Sequence, residues 1–238
     1  MSGKNPSPLA VAVCDGDLEC VEQLLDRGEP LDKRDHKGRS PLMLALLAVE
    51  MEIAQLLVER GANPNLHDAK GRYPLHISLL RPDRGLTEMM LDRSARPDLP
   101  DRESVTPLHL AAATGRATLV TRLMKQLAPL DAQDKHGATP LHMAALNNRP
   151  AATRALLRGG PDLELRTGDG STALHLAVEK CAHQVIELLV AARADPLAHA
   201  RFGKTPLALA YSNNDYKAVE LMEGPGTCTR IQAGLDAA

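Results

Sequence analysis

One short element returns along this chain at a fixed spacing, and that spacing limits what the chain can fold into. A Thr/Ser-Pro-Leu motif begins at Ser7, Ser40, Tyr73, Thr106, Thr139, Thr172 and Thr205, each step being 33 residues with no insertion. Unrelated segments do not hold phase over such a length, so the chain is a tandem repeat. A unit this short cannot bury an apolar face alone. It must stack on its neighbours, and stability becomes a sum of neighbour interfaces.

Within each unit the residues specify two helices. Pro107 and Pro140 follow a threonine and suit a first helical turn, where no N–H is needed. The Ser/Thr hydroxyl before the proline can cap the orphan amides of that turn. Leu108, Leu141 and Leu174 then point into the core, and Ala111, Ala144 and Ala177 are small enough for close stacking. Nine residues after the Ser/Thr stand Gly16, Gly115, Asn148 and Asn214, residues that end helices in the left-handed conformation. A second helix carries pairs such as Leu56-Leu57 and Leu188-Leu189 and stops at Gly28, Gly61 or Gly160. Asp35-His36-Lys37-Gly38, Asp68-Ala69-Lys70-Gly71 and Asp134-Lys135-His136-Gly137 then read as tight turns.

The copies read SPLAVA, SPLMLA, YPLHIS, TPLHLA, TPLHMA, TALHLA and TPLALA. They resemble the ankyrin-repeat family, whose 33-residue unit carries T-P-L-H-x-A. The resemblance spans residues 5–224. It implies an all-α fold, an ankyrin-repeat α-solenoid of stacked helix-turn-helix units with projecting β-hairpin turns. One domain over 1–224 with seven repeats and a flexible tail over 225–238 are expected. Phase also marks departures. Arg81-Pro82-Asp83-Arg84-Gly85 interrupts repeat three, and Gly85 should delay its second helix. Tyr73, Ser94, Ser104, Thr167 and Ala200 replace motif residues. Ordinary drift and a locally remodelled binding patch both remain open for repeat three.

Composition narrows the function. Only 2% of residues are aromatic, so Leu and Ala must fill the core. A net charge of -2 gives no overall basic field for nucleic acid. Cys14, Cys20, Cys181 and Cys228 lack CxxC spacing and imply a reduced compartment rather than a disulfide framework or zinc site. No apolar run approaches the roughly 18 residues of a membrane span, and Leu9 to Val13 is too short for a signal core. An intracellular chain, cytoplasmic or nuclear, is expected.

His76, His109, His142 and His175 recur in phase. A metal ladder is the sharp reading, but successive copies would sit about 8–10 Å apart, too far to share one zinc at its roughly 2 Å bonds. The resemblance implies that these imidazoles brace the turns. Asp15 with Asp17 and Glu50 with Glu52 fall at helix ends, where capping and solvation suffice. No Gly-rich phosphate loop, GxSxG or HExxH is present, so no catalytic, metal or cofactor site is expected. Cys20 aligns with Ile53 and Leu119 and reads as buried filler, while Cys14 lies near the concave edge, where a reactive thiol is the alternative.

The resemblance implies that another protein binds the concave face, built from turn tips and the exposed side of each first helix. Carried over by phase, the tips are His36, Lys37, Arg39, Lys70, Arg72, Arg102 and Phe202, and the inner helices offer Leu47, Leu80, Arg81 and Leu146. The tips are mainly basic and would attract an acidic segment. The three leucines would give an apolar floor within a polar rim. An adaptor, inhibitor or scaffold, monomeric alone, is the expected function. The alternative is a secreted bacterial or parasite effector acting on host proteins through the same surface.

Overall fold

The computed structural model describes residues 7–81, 85–200 and 203–224. Phe202 and Pro82 lie outside the described residues, as does the tail from 225. Among the described residues the secondary structure is helical, in fourteen helices without a strand. They alternate as first and second helices of each repeat: α1 (Pro8–Asp15) with α2 (Leu18–Asp26), α3 (Pro41–Ala48) with α4 (Met51–Glu59), α5 (Pro74–Leu79) with α6 (Gly85–Asp92), α7 (Pro107–Thr114) with α8 (Ala117–Lys125), α9 (Pro140–Leu146) with α10 (Pro150–Leu157), α11 (Ala173–Glu179) with α12 (His183–Ala191), and α13 (Pro206–Ser212) with α14 (Tyr216–Glu223). Every first helix starts on the 33-residue beat, and so do the second helices α2, α4, α8, α10, α12 and α14; α6 is described from Gly85, next to residues 82–84, which lie outside the described residues.

The hydroxyl caps form where the motif expects them. Ser7 accepts from Ala10 N at 3.1 Å and Thr205 from Ala208 N at 3.1 Å. Asp17 and Asp215 cap second helices in the same way, accepting from Cys20 N and Ala218 N. The motif leucines Leu9, Leu42, Leu75, Leu108, Leu141 and Leu174 are buried, as are Ala111, Ala144 and Ala177. Side chains of this size let neighbouring backbones close in and leave no void for an aromatic ring to fill.

The packing forms two compact units, Met1–Pro107 and Leu108–Ala238. In the first unit, α1, α3 and α5 form one layer and α2, α4 and α6 the other. In the second, α9, α11 and α13 pack in sequence, and α8, α10, α12 and α14 do the same behind them. Cys20 corrects one expectation. It is half-buried rather than core.

Apart from Gly224, the described backbone enters the left-handed region at three places per repeat. The first ends the first helix, at Gly16, Val49, Gly115, Asn148, Cys181 and Asn214. The second ends the second helix, at Gly28, Gly61, Ser94, Leu127, Gly160 and Arg193. The third closes the turn, at Gly38, Gly71, Ser104, Gly137, Gly170 and Gly203. The conformation is imposed by bonding rather than by residue type. Ala128 N donates to Leu123 O at 3.0 Å and Ala62 N to Leu57 O at 2.9 Å, the reach-back bonds that satisfy terminal carbonyls. Stacking holds the repeat in this geometry even where Val or Leu must adopt it against steric cost.

The turns hold their shape without strand pairing. Asp35 N donates to Arg39 O at 2.9 Å, but Arg39 N donates to the Asp35 carboxylate, because Gly38 N already occupies the Asp35 carbonyl. A carboxylate thus replaces the second ladder bond, and the expected β-hairpin becomes a tight turn. Thr167 does the same in the sixth repeat, its Oγ1 accepting from Ser171 N at 3.1 Å. Neighbouring turns are joined by single backbone bonds, Ala69 N to Lys37 O at 2.8 Å and Gly168 N to His136 O at 2.7 Å.

Leu127 is 87% exposed at φ 62°, so its side chain contributes strain and little burial. Leu127→Gly should stabilise the chain by about 0.5–1 kcal/mol, read as a higher urea midpoint at unchanged slope. A lower midpoint would contradict the strain.

Candidate partner-binding face

The turn tips divide into structural arginines and unpaired lysines. Asp68 is buried, and its carboxylate accepts from Lys70 N, Arg72 N, Arg72 Nε and Arg72 Nη2 at 2.7–2.9 Å. Asp35 does the same with Lys37 N, Arg39 N and the Arg39 guanidinium. Burial alone would raise both carboxyl pKa values, but the guanidinium and amide donors outweigh it and hold both below the usual carboxylate value. The bidentate pairs orient Arg39 and Arg72 back into their own turns. Arg34 likewise donates to Gly38 O and, through Nη2, to His67 O of the next repeat. Lys37 and Lys70 are exposed and make no ion pair among the described residues, so they are the projecting charges. Arg102 is also exposed, its backbone N bonded to Lys70 O at 3.2 Å.

On the inner helices of the first unit, Leu80 is 61% exposed and Leu47 is half-buried. Arg81 turns inward instead. Its Nη2 donates to Leu47 O at 3.1 Å and satisfies a terminal carbonyl of α3. In the second unit Leu146 is 38% exposed. A hollow of about 250 Å³ lies between α1, the first turn and α3, lined by Ala10, Cys14, Asp35, His36, Arg39 and Leu44. The second unit has one of about 330 Å³, lined by His175, Glu179, Ala200, Lys204 and Leu209 among others. Ala10, Cys14, Asp35, Arg39 and Leu44 map onto His175, Glu179, Ala200, Lys204 and Leu209, each pair five periods apart. The same hollow therefore recurs between turn and first helix in both units.

One row of this face was not singled out from the sequence. The fifth motif position holds Val11, Leu44, Ile77, Leu110, Met143, Leu176 and Leu209, apolar in every copy. In the second unit Leu110, Met143, Leu176 and Leu209 are all part-exposed. The signal was present in the alignment of copies. It was masked because an apolar residue inside a motif reads as core.

The model of the family described as ankyrin repeats (3 copies) matches residues 9–101, 75–167 and 143–229, most of the chain. The chain belongs to the ankyrin-repeat family. Among solved structures it is similar to the ankyrin repeat domain of Bcl-3, described as a unique member of the IkappaB protein family. That match has a TM-score of 0.72 at 29% identity, over 92% of this chain and 99% of that one. It is also similar to the human ASB11 ankyrin repeat domain, with a TM-score of 0.77 at 25% identity, over 93% of this chain and 100% of that one. A search of curated proteins found no match. The fold is an ankyrin-repeat α-solenoid, a class of domain that serves protein–protein interaction.

The histidines of the ankyrin motif form braces rather than a shared site. His142 Nδ1 accepts from Thr139 N at 3.2 Å, and its Nε2–H donates to Ser171 O at 3.1 Å in the next repeat. His175 repeats this with Thr172 N and Lys204 O, and His76 with Tyr73 N and Val105 O. His109 Nε2 reaches Ala138 O at 3.0 Å. An accepting Nδ1 with a donating Nε2 fixes the neutral tautomer. Each such imidazole is consumed by backbone partners, and among the described residues no group of three or more His, Cys, Asp or Glu is placed to hold a metal. No described helix is long and apolar enough to cross a membrane.

Burial lowers the pKa of His76, His142 and His175 against the smaller opposing effect of their carbonyl partners. Below about pH 6.5, the ordinary imidazole value, the unfolded chain takes up protons that the folded chain refuses. Stability is therefore complete above that pH and falls as pH drops through it. The urea midpoint should decrease from pH 7.5 to pH 5.5, and His142→Asn should flatten the slope. A midpoint independent of pH in this window would contradict the braced neutral tautomer.

Proposed function

We propose that this chain is a non-catalytic interaction module, an intracellular adaptor, inhibitor or scaffold that holds another protein against its turn tips and first helices. The observation that carries the reading is the recurrence of one hollow at one phase in both units, with a first-helix leucine, Leu44 or Leu209, in its lining and turn residues at its edge. The projecting lysines of the turn tips, beside apolar first-helix residues, suit a partner segment that pairs apolar side chains with carboxylates. Leu47, Leu80 and Leu146 are its proposed contacts, with His36, Lys37, Lys70 and Arg102 at the rim. Arg39, Arg72 and Arg81 act as supports of that rim, since the guanidiniums of Arg39 and Arg72 pair with Asp35 and Asp68 and Arg81 Nη2 donates to Leu47 O. Phe202, outside the described residues, remains a proposed anchor on the last turn.

The electrostatic part separates from the structural part by choice of residue. Arg39→Glu and Arg72→Glu would break turns, whereas the ammonium groups of Lys37 and Lys70 make no ion pair among the described residues. With the partner recovered by affinity capture and identified by mass spectrometry, calorimetric titration should show Lys37→Glu/Lys70→Glu binding about tenfold more weakly or worse, with the difference shrinking at high salt. Leu80→Asp should weaken binding at all salt concentrations. Unchanged affinity in both variants would remove this face from the account.

A further inference from the structure

The outer helices α8 and α10 of the second unit carry a charge pattern opposite to that of the other outer helices. α2, α4, α6, α12 and α14 each contain Asp or Glu, whereas α8 and α10 contain none. The reversal is phase-locked. The register position of Arg154 holds Glu22, Gln55, Glu88, Thr121, Glu187 and Glu220 in the other copies. The position of Arg158 holds Asp26, Glu59, Asp92, Lys125 and Ala191. No acidic residue occurs from Ser104 to Leu130 or from Lys135 to Pro161.

These cations converge on a feature. α8 packs against α10, and between them runs a groove of about 300 Å³ walled by Thr118, Thr121, Arg154 and Arg158 over Ala151 and Ala155. Arg154 and Arg158 are exposed and form no ion pair among the described residues. They are four residues apart and so share one side of α10. Thr121 donates its hydroxyl to Ala117 O, which leaves Thr118 and the two guanidiniums as the free donors. α12 packs on the far side of α10 and carries Glu187 at the position equivalent to Arg154, unpaired with it. Cations in a last helical turn complement the helix dipole. That favours Arg122 and Lys125 at the end of α8 and Arg154 and Arg158 at the end of α10, but does not account for the removal of every acid from both helices.

We infer that this groove is a second docking site, on the face opposite the first helices, for an acidic peptide segment of a partner protein. Two guanidiniums at one-turn spacing grip successive carboxylates bidentately, and the alanine floor lets the peptide backbone approach closely. The site is independent of the turn-tip reading, because it uses different residues and a different helix layer.

Fluorescence anisotropy with a fluorescein-labelled oligoglutamate peptide at low salt tests it on the full chain. The peptide should bind, an oligoglutamine control should not, and Arg154→Glu/Arg158→Glu should weaken binding about tenfold or more. That variant installs the charge other copies carry at these positions, so folding is preserved, and circular dichroism checks it. Arg154→Lys/Arg158→Lys should keep part of the affinity. Absence of binding, or equal binding by the reversal variant, would overturn the inference. So would loss of binding only in Lys37→Glu/Lys70→Glu, which would place the peptide on the turn tips instead. Tighter binding of a single-stranded oligonucleotide than of the peptide, or displacement of the peptide by self-association of the chain, would assign the groove to another occupant and equally overturn it.

Discussion

Contact between neighbouring repeats is the constraint on which the rest of this structure depends, and in four copies an imidazole reaches from one repeat to the carbonyl of the next. A single unit has two short helices of six to nine residues, below the length at which isolated helices persist in water. What holds them is the neighbour. Leucine and alanine faces close without voids, and the buried histidine ties the cap of its own first helix to the turn that follows. The tie is strong because both ring nitrogens are used and the ring is dry. The same dryness makes it sensitive to protonation.

Stacking on neighbouring repeats explains why the sequence can drift without loss of shape. Val49, Leu127, Cys181 and Arg193 stand where Gly or Asn is favoured, yet the backbone keeps its left-handed φ at each. Ala200 lacks the turn carboxylate, yet Ala200 N still donates to Lys204 O at 2.8 Å. The stacked neighbours over-determine the geometry, and each departure costs a fraction of the total rather than the fold. Side chains freed from structural duty can then vary in charge, as on α8 and α10.

The helix pairs, their caps and the Gly and Asn stops were legible because period and motif agree at every copy. Roles decided by which atom a long side chain reaches were not. Arg39 and Arg72 share the cationic look of Lys37 and Lys70, and only the bidentate geometry on Asp35 and Asp68 separates supports from projecting charges. Arg81 reads as a surface cation but caps α3. Cys20 aligns with core positions and is half-buried, because alignment carries no information about what covers the residue in space. The cationic groove escapes a reading that takes each helix singly, since it becomes visible only when register-equivalent residues of packed helices are compared.

Residue-resolved amide hydrogen exchange on the chain carrying His142→Ala tests the neighbour brace most directly. Exchange should accelerate both at the cap of α9, from Thr139 to Met143, and in the following turn, from Thr167 to Ser171, while the first unit keeps its protection. Acceleration confined to the altered repeat, with the following turn unchanged, would contradict the account.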